Sequence, residues 1–413
     1  MNAMKQVEPT KHFFEYFNEN LPKNWDEPAL TDYDDVTSYT YGEMGAKMIQ
    51  VQAMLEVAGL KAGDKIAICS KNCANWAISF LAIAANRGVV VSIMDAFVES
   101  DIENLVTHSD AKAIFVGPAV WKRLHPDKMP NIQIAIGTEQ FRVLYTKDER
   151  LNTVKEDAER LYSERYPYGF TKDDVNLPTD NLDELMIINY TSGTTSAPKG
   201  VMLSYRAISA NVQYSQETIP NHAAGPLICY EHWYNEMIGC CGSCVTRNEL
   251  KIDSPDPENV VGEILFRGEH VMMGYYKNEK ATRDAIDEEG WLHTGDLGTL
   301  NKKGLLFIKG RSKAMILSSN GQNIYPEEIE DKVNNLPGVV ESLVVGRQGK
   351  IVALVYPDEK YDLQNKSMDE LMSENLAKLN EMLPAYSKVS SIVLVDKEFE
   401  KTPKRSIRRF LYS

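Results

Sequence analysis

Alternating apolar and polar segments in the first half of the chain predict strands and helices in turn. Short apolar runs predict strands at 65–70, 89–94, 111–116 and 185–190, and a longer apolar run predicts a helix at 75–86. Further helices are predicted at 99–108 and, after the cap residue Ser204, at 205–217. Strand–helix–strand repetition is typical of a mostly parallel sheet with helices on both faces. The polar and charged stretch 150–184 predicts an exposed connection. The first part of the chain therefore predicts a large α/β domain.

The pattern changes after Pro220, where the remaining chain predicts a different kind of packing. Two apolar runs, 262–267 and 305–309, predict strands of an antiparallel unit. A compact α+β pattern then predicts helices at 326–335 and 368–383 and strands at 342–345, 351–356 and 391–395. We therefore predict a boundary near Arg311, with an N-terminal domain over 1–310 and a small C-terminal domain over 311–413.

The amino-acid composition excludes several kinds of protein. The 413 residues are 43% hydrophobic and carry a net charge of −14, which disfavours a general nucleic-acid or membrane-surface binder. The longest apolar run, near 78–85, is far shorter than the roughly 20 residues of a membrane span. Six cysteines are too few for a disulfide scaffold. We predict reduced thiols in a cytoplasmic protein, and the motif Cys241-Gly-Ser-Cys244 leaves a redox role open.

A loop rich in threonine, serine and glycine follows the predicted strand 185–190 and precedes the predicted helix that begins at Tyr205. Backbone N–H groups in such a loop can form a nest for an anion. Its further donors are the hydroxyls of Thr191, Ser192, Thr194 and Thr195 and the ammonium group of Lys199. It is not a Walker loop, because the lysine is followed by Gly200. We predict a polyphosphate site here rather than a flexible linker.

The run YTSGTTSAPKG (190–200) resembles the phosphate-binding signature of the adenylate-forming superfamily, which includes acyl-CoA synthetases, luciferases and peptide-synthetase adenylation domains. Later motifs resemble further signatures of that family in the same order: GEILFRG (262–268), GYY (274–276), WLHTGDLG (291–298), IKGRSKAMI (308–316), NGQNIYPEEIE (320–330) and FEKTPKRSIRRFLY (399–412). The ordered series covers most of the chain. The amino-acid sequences of these motifs are most similar to those of the long-chain fatty-acid–CoA ligases.

The resemblance implies a role for particular residues. The residues implied to hold the nucleotide phosphates are Thr191, Ser192, Gly193, Thr194, Thr195 and Lys199, with Thr191 also at Mg²⁺. Asp296 is implied to hold both ribose hydroxyls, since a carboxylate can accept two donors, and Arg311 also reaches the ribose. Lys313 is implied to be the hinge of the C-terminal domain. Gly321 is implied to let the pantetheine arm of CoA pass close to the backbone.

The implied reaction has two steps and three small-molecule partners. A carboxylic acid attacks the α-phosphate of Mg-ATP, and the CoA thiol then displaces AMP from the acyl-adenylate. A long-chain fatty acid is favoured as the acid. Three alternatives stay open: an aryl-CoA or other acyl-CoA ligase, a carrier-protein loading enzyme, and a catalytically impaired nucleotide-binding remnant. A homodimer is also compatible with this resemblance.

The chain departs from the family pattern in the middle. Gly200 and Gly262 are only 62 positions apart, whereas members of the family carry a long stretch here, with parts of the acyl and adenine pockets and a glutamate that binds magnesium. The break lies near 219–225 and indicates either a deletion or the joining of two segments of a longer chain. A molecule of these 413 residues alone is predicted to have low stability and no measurable ligase turnover.

Two smaller departures concern single positions. Ser196 stands where the family usually has glycine, which a loop residue with negative φ tolerates. Ser406 aligns with the family's catalytic lysine. We predict Lys404 as its replacement, because residues two apart on a strand share a face. The basic residues Lys401, Lys404, Arg405, Arg408 and Arg409 predict either a phosphate contact or a solvated tail.

Overall fold

The structure is a computed structural model and describes residues 8–33, 37–191, 198–218, 241, 243–245, 247–317, 323–364, 366–402 and 405–412. The helices are α1 Phe13–Asn20, α2 Tyr41–Val57, α3 Ala74–Ala85, α4 Glu99–His108, α5 Pro118–Trp121, α6 Val154–Arg165, α7 Tyr205–Thr218, α8 Glu279–Ala285, α9 Pro326–Asn334 and α10 Met368–Met382. The strands are β1 Pro28–Thr31, β2 Ser38–Thr40, β3 Lys65–Cys69, β4 Val89–Ser92, β5 Ala113–Val116, β6 Ile134–Gly137, β7 Val143–Thr146, β8 Leu185–Thr191, β9 Lys199–Ser204, β10 Asn248–Asp253, β11 Gly262–Gly268, β12 Gly274–Tyr275, β13 Leu292–Leu300, β14 Leu306–Arg311, β15 Ile316–Leu317, β16 Asn323–Ile324, β17 Val339–Arg347, β18 Lys350–Pro357 and β19 Ser391–Leu394.

These elements form two compact units. The first takes in the described residues within Met1–Thr191, Pro198–Asn221 and Glu269–Arg283. It is built on an eight-stranded sheet in the order β12-β9-β8-β4-β3-β5-β6-β7. The five strands from β8 to β6 run parallel, and β12, β9 and β7 are antiparallel to their neighbours. The predicted mostly parallel sheet is therefore confirmed.

Strand β3 shows why this sheet is covered on both faces. Ile66 and Ile68 pack into one apolar cluster and Ala67 and Cys69 into another, because successive side chains of a strand point to opposite faces. All four residues are fully buried. Strands buried on both sides are typical of parallel sheets between layers of helices.

The first unit also contains elements that the sequence pattern did not predict. Most residues of 150–184 are exposed or half-buried, as predicted for a connection, but helix α6 lies within this stretch and was not predicted. Val154 and Ala158 are the helix residues that the structure buries completely, so the apolar stripe is too narrow to stand out in the sequence. Strand β9 was missed because its first residues merge with the threonine- and glycine-rich loop.

The second unit takes in the described residues within His222–Gly268 and Asp284–Ser413. It contains a four-stranded antiparallel sheet, β10-β11-β13-β14, and a three-stranded sheet, β17-β18-β19. Helices α9 and α10 cover one face of the three-stranded sheet through Ile329, Val333 and Leu379. The predicted antiparallel unit and α+β pattern are confirmed, and with them the α/β fold class. The boundary near Arg311 and the mobility of the C-terminal domain stay predictions.

Across the part of the chain that the structure describes, no helix has both the length and the apolar character needed to cross a bilayer.

Candidate functional site

Asp296 and Arg311 face each other in the second unit. They are direct cross-strand partners of β13 and β14, and Arg311 Nε lies 2.9 Å from Asp296 Oδ1. The two side chains are 30% and 65% exposed, respectively, so solutes can reach both. A carboxylate has about four lone-pair positions and can accept hydroxyl donors beside the arginine. The structure therefore brings together the two residues that the family resemblance assigns to the ribose.

The irregular part of β13 around Asp296 is held by neighbouring residues. Gly295 has φ +72°, a conformation that favours glycine, and its N–H donates to Glu263 Oε1 at 2.9 Å. The Asp296 N–H donates to Thr294 Oγ1 at 3.1 Å. The Ser312 N–H donates to the Gly295 carbonyl at 2.9 Å, which ties this part of β13 to the end of β14. These contacts hold the backbone from which the Asp296 side chain extends.

Glu263 is a positioning residue that the sequence reasoning missed. Besides accepting from Gly295, its carboxylate lies 2.9 Å from His293 Nδ1. The sequence does contain a signal for this residue, because Glu263 is the acidic residue of the GEILFRG motif. That motif contributed to the family resemblance, but no role was predicted for its glutamate.

A cavity of about 760 Å³ lies beside this pair, within the second unit. Its lining includes Asp296, Gly310, Arg311, Lys309, Glu328, Tyr325 and Tyr386. Lys309 Nζ and Glu328 Oε1 lie 3.1 Å apart on its wall. The volume falls in the range of about 300–1,000 Å³ that small-molecule sites occupy. Seven of the 19 lining residues are charged and lie beside apolar and aromatic ones, which suits a polar ligand that also has an apolar or aromatic part.

The predicted phosphate loop joins two antiparallel strands of the first unit. Thr191 pairs with Lys199, and Tyr190 pairs with Gly200, where β8 and β9 meet. The loop does lie between a strand and a helix in sequence, as predicted, but strand β9, which was not predicted, separates it from α7. Residues Ser192, Gly193, Thr194 and Thr195, and the side chain of Thr191, lie outside the described part of the chain.

Lys199 and Ser204 mark the two ends of β9. Lys199 Nζ lies 4.8 Å from the centre of the Tyr275 ring, a cation–π distance. Ser204 Oγ accepts the Ala207 N–H at 3.2 Å, which caps α7 as an N-terminal serine should. This start places the N-terminus of α7 a whole strand away from the loop.

The remaining predicted site residues have different outcomes. Lys313 lies in a turn after β14, where the N–H groups of Ala314 and Met315 both donate to the Arg311 carbonyl, at 3.0 and 3.1 Å. Gly321 and Lys404 lie outside the described residues, as do positions 219–225 of the predicted break. Their roles stay predictions.

The described residues on either side of Lys404 are linked by a hydrogen bond. The Thr402 N–H donates to the Ser406 carbonyl at 2.9 Å, and Arg405 has φ +61°. Lys404 itself lies outside the described residues, so its assignment stays a prediction.

Part of the basic tail is paired with carboxylates. Lys401 Nζ lies 2.7 Å from Glu341 Oε2, and its pKa is raised by hydrogen bonds to Glu341 and Glu398. Arg409 contacts Glu330, which is 9% exposed. Burial raises the pKa of Glu330, and Arg409 partly offsets this shift. For Lys401 and Arg409 the pairing favours a role in holding the C-terminal segment over contact with phosphate.

The described residues offer no preformed metal site. Among them, no group of three or more histidine, cysteine, aspartate and glutamate side chains could hold a metal ion. Cys241 is exposed and Cys244 half-buried, and burial raises the pKa of the Cys244 thiol. The side chain of Thr191, the predicted Mg²⁺ ligand, lies outside the described residues, so that role stays a prediction.

Comparison with known proteins gives consistent results for both parts of the chain. A profile of the AMP-binding enzyme family matches residues 17–227, and a profile of the AMP-binding enzyme C-terminal domain matches residues 313–412. The long-chain-fatty-acid–CoA ligase ACSBG2 of Gallus gallus is 40% identical over 116 residues, which are 28% of this chain and 15% of that protein. The 4-coumarate–CoA ligase 1 of Oryza sativa subsp. japonica is 35% identical over 182 residues, which are 41% of this chain and 31% of that protein.

A solved structure shares the fold over nearly the whole chain. The crystal structure of ATP-bound MatB from Rhodopseudomonas palustris matches with a TM-score of 0.73 and 18% identity, covering 95% of this chain and 97% of that one. At this identity the likeness shows the fold alone. The sequence matches span less than a third of the two curated relatives.

Proposed function

Because the chain belongs to the AMP-binding enzyme family, we propose that it serves the ATP-dependent activation of a carboxylic acid and its transfer to coenzyme A. The observation that carries this proposal is the Asp296–Arg311 pair, with its nitrogen–oxygen distance of 2.9 Å, beside a cavity of about 760 Å³. An acceptor carboxylate next to an accessible cavity suits a ligand with vicinal hydroxyl groups, such as a ribose.

In the first proposed step, a carboxylate oxygen of the acid attacks the α-phosphorus of ATP, and pyrophosphate leaves. In the second, the CoA thiol attacks the acyl carbonyl and AMP leaves, while the thiol proton passes to a base. The roles proposed for this chain are binding and orientation: Asp296 and Arg311 at the ribose, and Lys199 with the 191–195 hydroxyls and backbone at the phosphates. Magnesium enters with ATP as part of the substrate.

The substrate acid is proposed to be a long-chain fatty acid. This choice is supported by the sequences of the motifs and by the chicken relative, whose name specifies long-chain fatty acids. The rice relative is named for 4-coumarate, so an aryl-CoA ligase is the second candidate within the same chemistry. A cytoplasmic location and a homodimer are further proposals, which cell fractionation and light scattering would test.

A nucleotide-binding remnant without ligase activity is the other candidate function. The observation that favours it is the short interval of 62 positions between Gly200 and Gly262. The family resemblance places acyl-pocket and magnesium-binding residues in this interval. Their loss would leave the ribose pair intact and remove part of the machinery for adenylation.

The test combines nucleotide binding with acid-dependent exchange. The 413-residue chain should bind ATP in calorimetry, and failure to bind would contradict the proposal and the remnant alternative together. Sequencing the gene across positions 219–225 decides whether a longer protein exists. That longer protein should exchange labelled pyrophosphate into ATP in the presence of a fatty acid, with 4-coumarate and acetate as comparison acids. ATP binding with no exchange for any acid would favour the remnant.

A further inference from the structure

Lys199 and Tyr275 lie on the same face of the eight-stranded sheet. Strand β12 pairs with β9, and Tyr275 is directly opposite Val201 in that pairing. Lys199 is two positions before Val201 on β9, so its side chain is on the same face as those of Val201 and Tyr275. Such diagonal neighbours are within reach of each other when the side chains are aromatic or long. The register of β9 with β12 therefore brings the lysine and the tyrosine together.

The contact between the two side chains joins a cation to an aromatic face. Lys199 Nζ lies 4.8 Å from the centre of the Tyr275 ring, within the roughly 6 Å over which a ring attracts an ammonium group. Both residues are half-buried. A ring attracts the ammonium without cancelling its charge, whereas a carboxylate would cancel it. The tyrosine can therefore restrict a long, flexible side chain and preserve its positive charge.

The backbone that carries the Tyr275 ring is held on two sides. The Tyr275 N–H donates to Thr282 Oγ1 at 2.8 Å. Gly274 has φ +137°, and a side-chain carbon placed on it would lie 2.7 Å from Thr282 Cγ2, so α8 packs closely against β12. On the other side, the Tyr276 N–H donates to the Gly200 carbonyl at 2.8 Å, which extends the pairing with β9. The ring therefore extends from a well-defined base.

The backbone of Lys199 is also fixed by its strand. Lys199 is the first residue of β9 and the cross-strand partner of Thr191, the last residue of β8. The ladder between β8 and β9 sets where the lysine backbone lies, and Tyr275 on β12 sets where its ammonium group lies. Both are set by described residues of the first unit.

We infer that Tyr275 is a positioning residue for the nucleotide phosphates, because it holds the Lys199 ammonium group at the end of β9 before the nucleotide binds. The inference rests on the proposed function, which assigns Lys199 to the phosphates. A group that is already held in place loses less conformational entropy when a ligand binds. Since Tyr275 acts through Lys199, its effect should require the phosphates of the ligand and should disappear when the lysine is replaced.

The test compares ATP with adenosine in calorimetric titrations of the full chain. Tyr275→Leu removes the ring face and should weaken ATP binding by roughly 2- to 10-fold, with adenosine binding unchanged. Tyr275→Phe keeps the ring face and should retain the wild-type ratio of ATP to adenosine affinity. Tyr275→Val, with a side chain suited to a strand, replaces Tyr275→Leu if that variant does not fold.

The matched control makes the same substitution at another contact between a lysine and a tyrosine. Lys11 Nζ lies 4.5 Å from the centre of the Tyr16 ring, on α1 and outside the strands that flank the loop. Tyr16→Leu should change the affinity for neither ligand.

A double-mutant cycle separates positioning of the lysine from a general change in packing. Lys199→Met removes the charge and should itself weaken ATP binding. In the Lys199→Met background, Tyr275→Leu should weaken ATP binding no further. Additive losses from the two substitutions would overturn the positioning role of Tyr275. Wild-type ATP affinity in Tyr275→Leu, or equal weakening of ATP and adenosine, would overturn it as well.

Two other results would contradict the proposed function itself, and the inference with it. Unchanged ATP affinity in Lys199→Met would contradict the assignment of this lysine to the phosphates. No ATP binding by the wild type would contradict nucleotide binding altogether.

Discussion

Arg311 Nε lies 2.9 Å from Asp296 Oδ1, at a point where β14 and β13 pair residue against residue. A shift of one residue in that pairing would turn the arginine to the other face, so the register of the sheet creates the pair. Both groups are partly exposed, and exposed ion pairs contribute about 0–1 kcal/mol to stability. Substitutions here should therefore change ligand binding more than folding.

The hinge prediction concerns Lys313, in the turn that follows β14. Lys313→Pro should leave ATP binding intact, because the change lies outside the Asp296–Arg311 contact. Proline fixes φ near −65°, so a rotation of the backbone at this position should be blocked. In the complete protein, pyrophosphate exchange should continue while acyl-CoA formation is lost. Lys313→Ala is the control and should retain both, whereas equal loss of both activities in Lys313→Pro would contradict a hinge role.

Glu103 is the most buried carboxylate on α4, and its partners His125 and Lys128 lie outside that helix. Its side chain is 3% exposed, accepts from the His125 N–H at 2.8 Å and lies 3.2 Å from Lys128 Nζ. Burial acts to raise its pKa, but the hydrogen bonds from His125 and Lys128 outweigh this, so the pKa is lowered below its usual 4.5. Glu103→Gln should lower the free energy of unfolding by about 1–3 kcal/mol at neutral pH.

The pH dependence of this variant follows from the direction of the shift. A lowered pKa gives stability that is present above 4.5 and is lost as the pH falls through the folded-state value. The difference between wild type and Glu103→Gln in urea unfolding should therefore shrink in acid. Glu99→Gln is the matched control, because Glu99 is 52% exposed and 3.8 Å from Arg123, and it should change stability by no more than about 0.5 kcal/mol. A pH-independent difference for Glu103→Gln would contradict the assignment.

Gly200 is predicted to tolerate no side chain. The 2.8 Å approach to Ile188 Cγ2 means that Gly200→Ala must displace the Ile188 side chain or the β8–β9 pairing, at a cost of about 1–3 kcal/mol. At Gly137, another strand glycine, the nearest atom to an added Cβ is 3.4 Å away, which is ordinary contact. Gly137→Ala should stay within about 1 kcal/mol of the wild type. Similar unfolding midpoints for the two variants would show that the close approach is not rigid.

Ligase turnover is predicted to depend on the length of the central segment. A mass-verified chain of 413 residues should form no measurable acyl-CoA, since the interval of 62 positions between Gly200 and Gly262 is too short for the family's missing pocket elements. Thioester formation can be followed by chromatography of CoA products. Robust synthesis by this chain would show that the shortened segment suffices.

The pattern of apolar and polar residues predicted helices and strands well where buried residues recur at regular intervals. Helix α4 has the predicted bounds, Glu99–His108, because polar residues surround a clear buried stripe of Ile102, Leu105 and Val106. Helix α6 was missed because it buries few residues completely, and β9 because it follows a loop without a polar break. The pattern describes each segment alone, so it identifies elements with strong amphipathic character and misses weak ones.

Site residues required information that no local pattern contains. The motif resemblance pointed to Asp296 and Arg311, but their contact depends on the register of β13 and β14. The contact of Lys199 with Tyr275 depends on the pairing of β9 with β12 and could not be predicted from two segments far apart in sequence. Lys404 was preferred on an assumed strand alternation, and because it lies outside the described residues its role stays a prediction.

The central claim is that Asp296 binds the ribose of ATP, and one calorimetric comparison tests it most directly. ATP and 2′,3′-dideoxy-ATP are titrated into the wild type, into Asp296→Ala, and into Asp148→Ala as a control with an exposed aspartate paired to Arg150. Hydrogen bonds to a charged group are worth about 1.5–3 kcal/mol, so Asp296→Ala should weaken ATP binding by at least about 10-fold and no longer distinguish the two nucleotides. The wild type and Asp148→Ala should prefer ATP. Unchanged ATP affinity in Asp296→Ala, or an undiminished preference for ATP, would contradict the account.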